Sequence, residues 1–244
     1  PYPHQLELSN VDAVVSSSRI FQSKIEQLIG LPKKQSKFIS ISVPCSNFQK
    51  PKMPGFEYHL GLLGFNRRLK GLHRALDVWE KLAAADARYK LFIKGSSPKE
   101  TGWVWRDPTE NQYFTEQFTR IEQSPFRDRV IFEPFGDDVA TWLSKIGYVL
   151  SVSDFESFHS AVAEGMASGS LPLIRNWEGA ELIYPQEWIF HQPEEMAEAV
   201  LSYNANPISS SQKRREVQQY CKERFDTERI FRQFAGLIFE YKRG

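Results

Sequence analysis

The sequence predicts an α/β fold: a parallel sheet with helices on both faces. Short apolar, β-prone runs alternate with amphipathic helical runs along nearly the whole chain. Strands separated by helices in this way pair in parallel. Several of these strand candidates also run directly into small, polar or basic turns. That is the end of an open α/β sheet at which ligands bind.

The elements follow in order. Ala13–Ser16 is a short strand candidate, and Arg19–Ile29 a helix stopped by Gly30-Leu-Pro32. Lys37–Val43 alternates like a strand, and 44–55, with three prolines, reads as a linker. A more regular series begins at Tyr58. His59–Phe65 is a strand, and Leu72–Ala84 a helix with Leu76, Val78, Trp79 and Leu82 as its apolar stripe. Tyr89–Lys94 and Arg129–Glu133 are strands, separated by a polar stretch and a helix near Asn111–Gln123. Asp137–Ile146 is a helix, Tyr148–Ser153 a strand, and Ser157–Ser168 a helix capped by Ser157. Leu171–Ile174 and Trp188–Phe190 are strands, and Glu194–Tyr203, Ser209–Phe225 and Thr227–Tyr241 close the chain as helices.

Composition narrows the function. With 31 basic and 30 acidic residues the net charge is +1, so no overall field points to nucleic acid. Cys45 and Cys221 are the two cysteines, far apart in sequence, which argues for a reducing compartment and against a disulfide framework or cysteine metal site. No apolar run approaches the ~20 residues a bilayer span requires. The chain begins Pro1-Tyr-Pro without methionine and reads as a fragment of a longer protein. A cytoplasmic protein is expected, and peripheral contact with a membrane face is compatible with that.

The most specific feature is Glu156-x7-Glu164. One carboxylate falls in a strand-to-helix turn and the other two helical turns further on, beside Ser160, Ala161 and Ser168 on a face of small residues. A helix start of this kind favours phosphate oxygens, though a helix packed on a strand with Glu164 in solvent gives the same spacing. The loop Gly64-Phe-Asn-Arg-Arg-Leu-Lys-Gly71 puts Arg67, Arg68 and Lys70 at the same sheet end. It has neither the phosphate-loop nor the dinucleotide glycine spacing. Gly95-Ser-Ser97 follows the next strand, and Glu133-Pro-Phe135 the one after, with an aromatic suited to a base edge. Singly each is a loop; together they describe a site for a phosphorylated ligand with a ring at one end.

These residues resemble the retaining glycosyltransferases of family four (glycosyl transferases group 1). Glu156-x7-Glu164 followed by Gly-Met-Ala-Ser-Gly-Ser-Leu-Pro-Leu-Ile174 is similar to the donor-binding signature of that family, and Gly64–Gly71 to its earlier loop. Gly95 and Val130–Gly136 resemble its next two strand ends. The resemblance runs over about 58–205 and implies the Rossmann-like C-terminal, donor-binding lobe of a GT-B fold. It implies that 1–50 is the tail of the N-terminal lobe with its linker, and 51–244 the nucleotide-sugar domain with its C-terminal helices. It further implies that Glu156 faces the donor sugar, Glu164 the ribose and Lys70 the diphosphate, with Arg67 or Arg68 nearby. Backbone amides of Phe158, His159 and Ser160 would add donors. No metal cofactor is required on this reading. The partners would be a nucleotide-sugar donor and a glycan or other acceptor, the latter reached through the missing N-terminal lobe.

Departures from the family pattern stand at three places. Phe65 occupies the position of an arginine, Ser157-Phe158-His159 replaces an aromatic-glycine step, and Gly179 alone remains of a glycine pair. His159 either touches sugar or phosphate or lies on the surface at the helix start, the simpler expectation. Phe231, Phe234 and Ile238 of the last helix either cover the other lobe or face the core, and the core is again the simpler. Two rival functions remain: a nucleotide-sugar epimerase or phosphorylase on the same scaffold, and a non-catalytic nucleotide- or partner-binding module. The tryptophans of Thr101-Gly-Trp-Val-Trp-Arg106 lend the latter weight, unless they pack on the helix that follows.

Overall fold

The computed structural model describes residues 7–241. The start at Pro1 and the last three residues of the 51–244 segment lie outside them. Two parallel sheets organise the chain. The smaller pairs β1 (Val14–Ser16) with β2 (Ser36–Phe38) across helix α1 (Arg19–Ile29). Gly30, at φ 62, ends α1 in the left-handed conformation.

The larger sheet has six parallel strands: β3 (His59–Leu63), β4 (Lys90–Lys94), β5 (Val130–Glu133), β6 (Tyr148–Ser151), β7 (Leu171–Arg175) and β8 (Ile189–Phe190). Their spatial order is β5-β4-β3-β6-β7-β8, so the winding reverses between β3 and β6. In sheets of this kind the crevice at the carboxyl ends of those two strands is the ligand site. Here the β3–β6 ladder registers only two residue pairs, Leu60 with Tyr148 and Gly61 with Val149.

Helix α2 (Leu72–Ala85) packs with α7 (Pro193–Ala205), and α6 (Ser160–Ala167) packs with β6, β7 and α8 (Pro207–Phe225). Helices α3 (Gly102–Arg106), α4 (Pro108–Gln123) and α5 (Val139–Ser144) fill the connections, and α9 (Thr227–Tyr241) ends the chain. All four residues of β6 are buried, as are four of five in β7, because helices cover both faces. Trp79, Trp142 and Trp177 are among the largest side chains enclosed.

Element types agree with the sequence reading, and the edges differ for identifiable reasons. The strand expected over Tyr148–Ser153 ends at Ser151 because the next two carbonyls are taken by arginines: Arg74 donates to Val152 O (3.1 Å) and Arg175 to Ser153 O (3.2 Å). The strand expected over Lys37–Val43 ends at Phe38, and Val43 instead bonds Phe225 O at the end of α8 (2.7 Å). The helix expected from Ser157 starts at Ser160, since His159 adopts φ 62 and Ser157 makes no cap bond. The insert around Thr101 carries α3: Trp105 packs against the core, while Trp103 is exposed with Arg67 over its ring.

The last helix corrects an expectation. Phe231, Phe234 and Ile238 face solvent, and Ile230 is the buried residue of α9. Cys45 and Cys221, remote in sequence, stand with sulfurs 3.5 Å apart as buried free thiols, because the linker runs back beside α8.

Candidate active site at the β3–β6 crevice

The loop after β3 is fastened to the turn after β6 through its backbone. Gly71 takes φ 75, and a Cβ there would overlap the Val152 carbonyl oxygen, so only glycine permits the approach. Asp154 N donates to Leu69 O (2.8 Å), and Arg74, one turn into α2, bonds Val152 O and pairs with Asp154 (2.6 Å). Lys70 thereby faces Glu156. Its Nζ lies 2.7 Å from Glu156 Oε1, which also accepts from Ser153 Oγ at 2.7 Å. The Glu156 side chain is 11% exposed and that of Lys70 27%, so the pair sits in a recess open on the lysine side.

Burial works to raise the Glu156 pKa but is outweighed by His159, Lys70 and Ser153, and the carboxyl lies below its ordinary value. His159 is itself pushed down to about 4 by burial. It is therefore neutral at pH 7, and the pull on Glu156 there comes from Lys70 and Ser153. His159 is not on the surface: it is 8% exposed, with Nδ1 2.6 Å from Ser151 Oγ.

Glu164 is half-buried one turn after the exposed Ser160, on the line of α6 that faces out of the packing. Its carboxylate has no hydrogen-bond partner among the described residues, and burial raises its pKa. The backbone amides of Phe158, His159 and Ser160 likewise donate to no protein acceptor among the described residues, which leaves them to solvent or a ligand.

The other sequence candidates divide. Gly95, Ser97 and Glu133 line one cavity of about 400 Å³, walled by Phe65, Phe118 and Phe132. Gly95 bonds Glu133 O through its amide (3.1 Å), and the Glu133 carboxylate is held by Lys145 (2.8 Å). Gly64, at φ 82, bonds Lys94 O and brings this cavity beside the basic loop. Phe135 lies outside it, 74% exposed. Arg67 turns away from Glu156 to Glu110 (3.3 Å), and the Arg68 amide bonds the same carboxylate (2.7 Å). Phe65, noted in the sequence as a departure, is a wall of the cavity, 5.5 Å from Phe132.

Sequence reasoning missed Ser153, Ser151, Arg74 and Phe118. The serines belong to a strand end whose hydroxyls carry no distinguishing pattern, and Phe118 reads as an ordinary core residue of α4. Gly179 packs on α1, where a Cβ would meet Ile20 at 2.8 Å. Among the described residues no group of three or more His, Cys, Asp or Glu is placed to hold a metal ion, and no helix is long and apolar enough to cross a membrane.

Residues 58–206 match the family model described as glycosyl transferases group 1. No curated protein is significantly similar in sequence. Solved structures are similar in fold. HepE of Anabaena, in complex with UDP and glucose, superposes with a TM-score of 0.76 at 17% identity over 94% of this chain and 63% of its own. Sucrose-phosphate synthase of Thermosynechococcus elongatus gives 0.73 at 20% identity over 97% and 60%. A mutant of TarM from S. aureus gives 0.73 at 16% over 94% and 44%. The chain thus spans about two thirds or less of these structures.

Proposed function

The chain belongs to the glycosyl transferases of group 1, and from that membership we propose that it is the donor-binding part of an enzyme moving a sugar from a nucleotide-sugar to an acceptor with retention. The observation that carries the reading is the Lys70–Glu156 pair, 2.7 Å apart, bridging the carboxyl ends of β3 and β6 where the sheet changes direction.

Each part of a nucleotide-sugar has a matching environment. The aromatic-walled cavity at Gly95 and Glu133 suits a planar base. Glu164, half-buried and without partner, suits the two ribose hydroxyls as donors. The diphosphate goes to Lys70 and to the free amides at the start of α6. Glu156, released from Lys70, faces the sugar. As the glycosidic bond breaks, negative charge grows on the diphosphate, and a cation and fixed amides aimed at it lower the barrier. Arg67 and Arg68 contribute by closing the loop through Glu110 rather than by direct charge. Phe158 and Ser160 flank His159 and supply amides only. That HepE binds UDP and glucose agrees with this assignment.

The acceptor site, glycan or otherwise, belongs to the lobe that the chain does not include, with 1–50 as its tail and linker. The isolated chain is therefore expected to bind a donor weakly and to transfer poorly. Calorimetry with UDP, GDP, ADP and CDP, then with the corresponding sugars, tests the reading. One of them should bind, and Glu164→Lys should abolish that binding. Lys70→Met should weaken it roughly tenfold to a hundredfold, the loss of one charge-assisted hydrogen bond. Unchanged affinity in both variants would favour a non-catalytic module. Hydrolysis or rearrangement of the sugar without an acceptor would favour the epimerase or phosphorylase alternative.

A further inference from the structure

His159 is the one non-glycine residue with positive φ among the described residues, at φ 62. A side chain in the left-handed region carries backbone strain that glycine would not. The ring is also buried to 8% exposure, where an imidazole needs partners. Its surroundings define those partners. Trp177 Nε1 donates to Ser151 Oγ at 3.1 Å, and Ser151 Oγ stands 2.6 Å from His159 Nδ1. Nδ1 is the one acceptor within reach of the Ser151 hydroxyl among the described residues, so the buried serine hydrogen is satisfied by pointing there. Nδ1 is then an acceptor, and the ring proton resides on Nε2. That nitrogen faces Glu156 Oε1 across 3.8 Å, longer than a hydrogen bond. The same Oε1 is meanwhile occupied at 2.7 Å by Lys70 and by Ser153. Lys70 and Glu156 are the charged groups that face the ring.

This places a neutral N–H donor in reserve behind an ion pair whose cation has other work. We infer that His159 is a positioning residue for Glu156: when an anionic ligand draws Lys70 off the carboxylate, Nε2–H closes on Oε1 and holds that oxygen inward, leaving Oε2 for the ligand's sugar. No proton changes hands; a hydrogen bond from neutral imidazole replaces one from ammonium. Burial agrees, since it keeps the ring unprotonated and so a donor at Nε2 alone. The inference rests on the proposed function for the role of the ligand, but not for the handover, which removal of Lys70 alone should provoke.

The test therefore has two arms. In the first, long-range nitrogen–proton NMR of the ligand-free chain should find His159 as the Nε2–H tautomer. In Lys70→Met its titration midpoint should rise by about one unit or more, because a nearby cation is lost and the carboxylate turns to the ring. A protonated Nδ1, or nitrogen shifts and midpoint unmoved in Lys70→Met, would overturn the inference. In the second arm, His159→Gly relieves the left-handed strain but empties the space beside Ser151, and a thermal melt checks that the variant stays folded. Its affinity for UDP-glucose should nevertheless fall about tenfold, with UDP affected less than about twofold. His159→Asn, which tolerates this backbone and carries an N–H, should recover part of the loss. Equal effects on UDP and UDP-glucose, or none on either, would mark His159 as filler only. If neither compound binds the wild type, the functional reading fails for this donor and the NMR arm alone decides the positioning role.

Discussion

At the scale of single residues, the site's polarity is set by which groups burial neutralises. Ionised Glu156 is sustained by Lys70 and Ser153, whereas His159 is held neutral, with its pKa lowered from 6.5 to about 4. Between those two values the unfolded chain takes up a proton that the folded one refuses. Stability from this residue is complete above pH 6.5 and is lost as pH falls towards 4, by up to about 3 kcal/mol. Glu156, with its pKa depressed, loses its contribution only at lower pH, below the ordinary carboxylate value. Glu164, with its pKa raised, works in the opposite sense. Thermal melts from pH 7 to 4.5 should consequently fall less steeply in His159→Gly than in the wild type, and parallel curves would contradict the buried neutral ring. The acidic pair and the basic loop could be found in the sequence because their spacing is fixed by a strand, a turn and a helix. The internal address of His159 could not. Nothing local distinguishes a capping histidine on the surface from one folded under Glu156, since the difference is made by Ser151 and Trp177 from other parts of the chain.

At the scale of elements, the alternation of strand and helix was legible because burial on both faces demands apolar runs. Edges were less so, being decided by side chains from elsewhere, such as Arg74 and Arg175 at the end of β6. The linker makes the same point. Lys52 lies in the stretch read as a linker, yet its Nζ lies within 2.7 to 3.0 Å of Leu143 O, Ile146 O, Ser168 Oγ and Ser170 Oγ, and burial pushes its pKa down to about 6. It ties the end of α5 and the α6–β7 turn to the strand entry. Lys52→Met should lower unfolding stability by about 1–3 kcal/mol in urea titration, as buried oxygens lose their shared donor. A change below about 0.5 kcal/mol would mean that the two serines satisfy one another and the carbonyls without it.

At the scale of the whole molecule, the amphipathic pattern of α9 was plain in the sequence but its direction was not, because nothing among the described residues covers its apolar face. Phe231, at 70% exposure, and Ile238, at 54%, form with Phe234 a surface that the proposed acceptor lobe would cover. Replacing all three by serine should leave the melting temperature nearly unchanged, since exposed substitutions typically cost under about 0.5 kcal/mol each. Light scattering should report less self-association. A fall of several degrees would instead mean that the face is buried in solution. The fastening of the Lys70 loop to the turn before Glu156, through Gly71, Leu69 and Arg74, has a consequence for any such two-lobed enzyme. The segments that carry the cation and the acid are mounted on a common chassis, so a swing of a second lobe would leave their backbones in place, and the gap between the two side chains would open only to a ligand. Closure would regulate access and dryness, while the backbone frame that presents both side chains stays constant throughout the stroke.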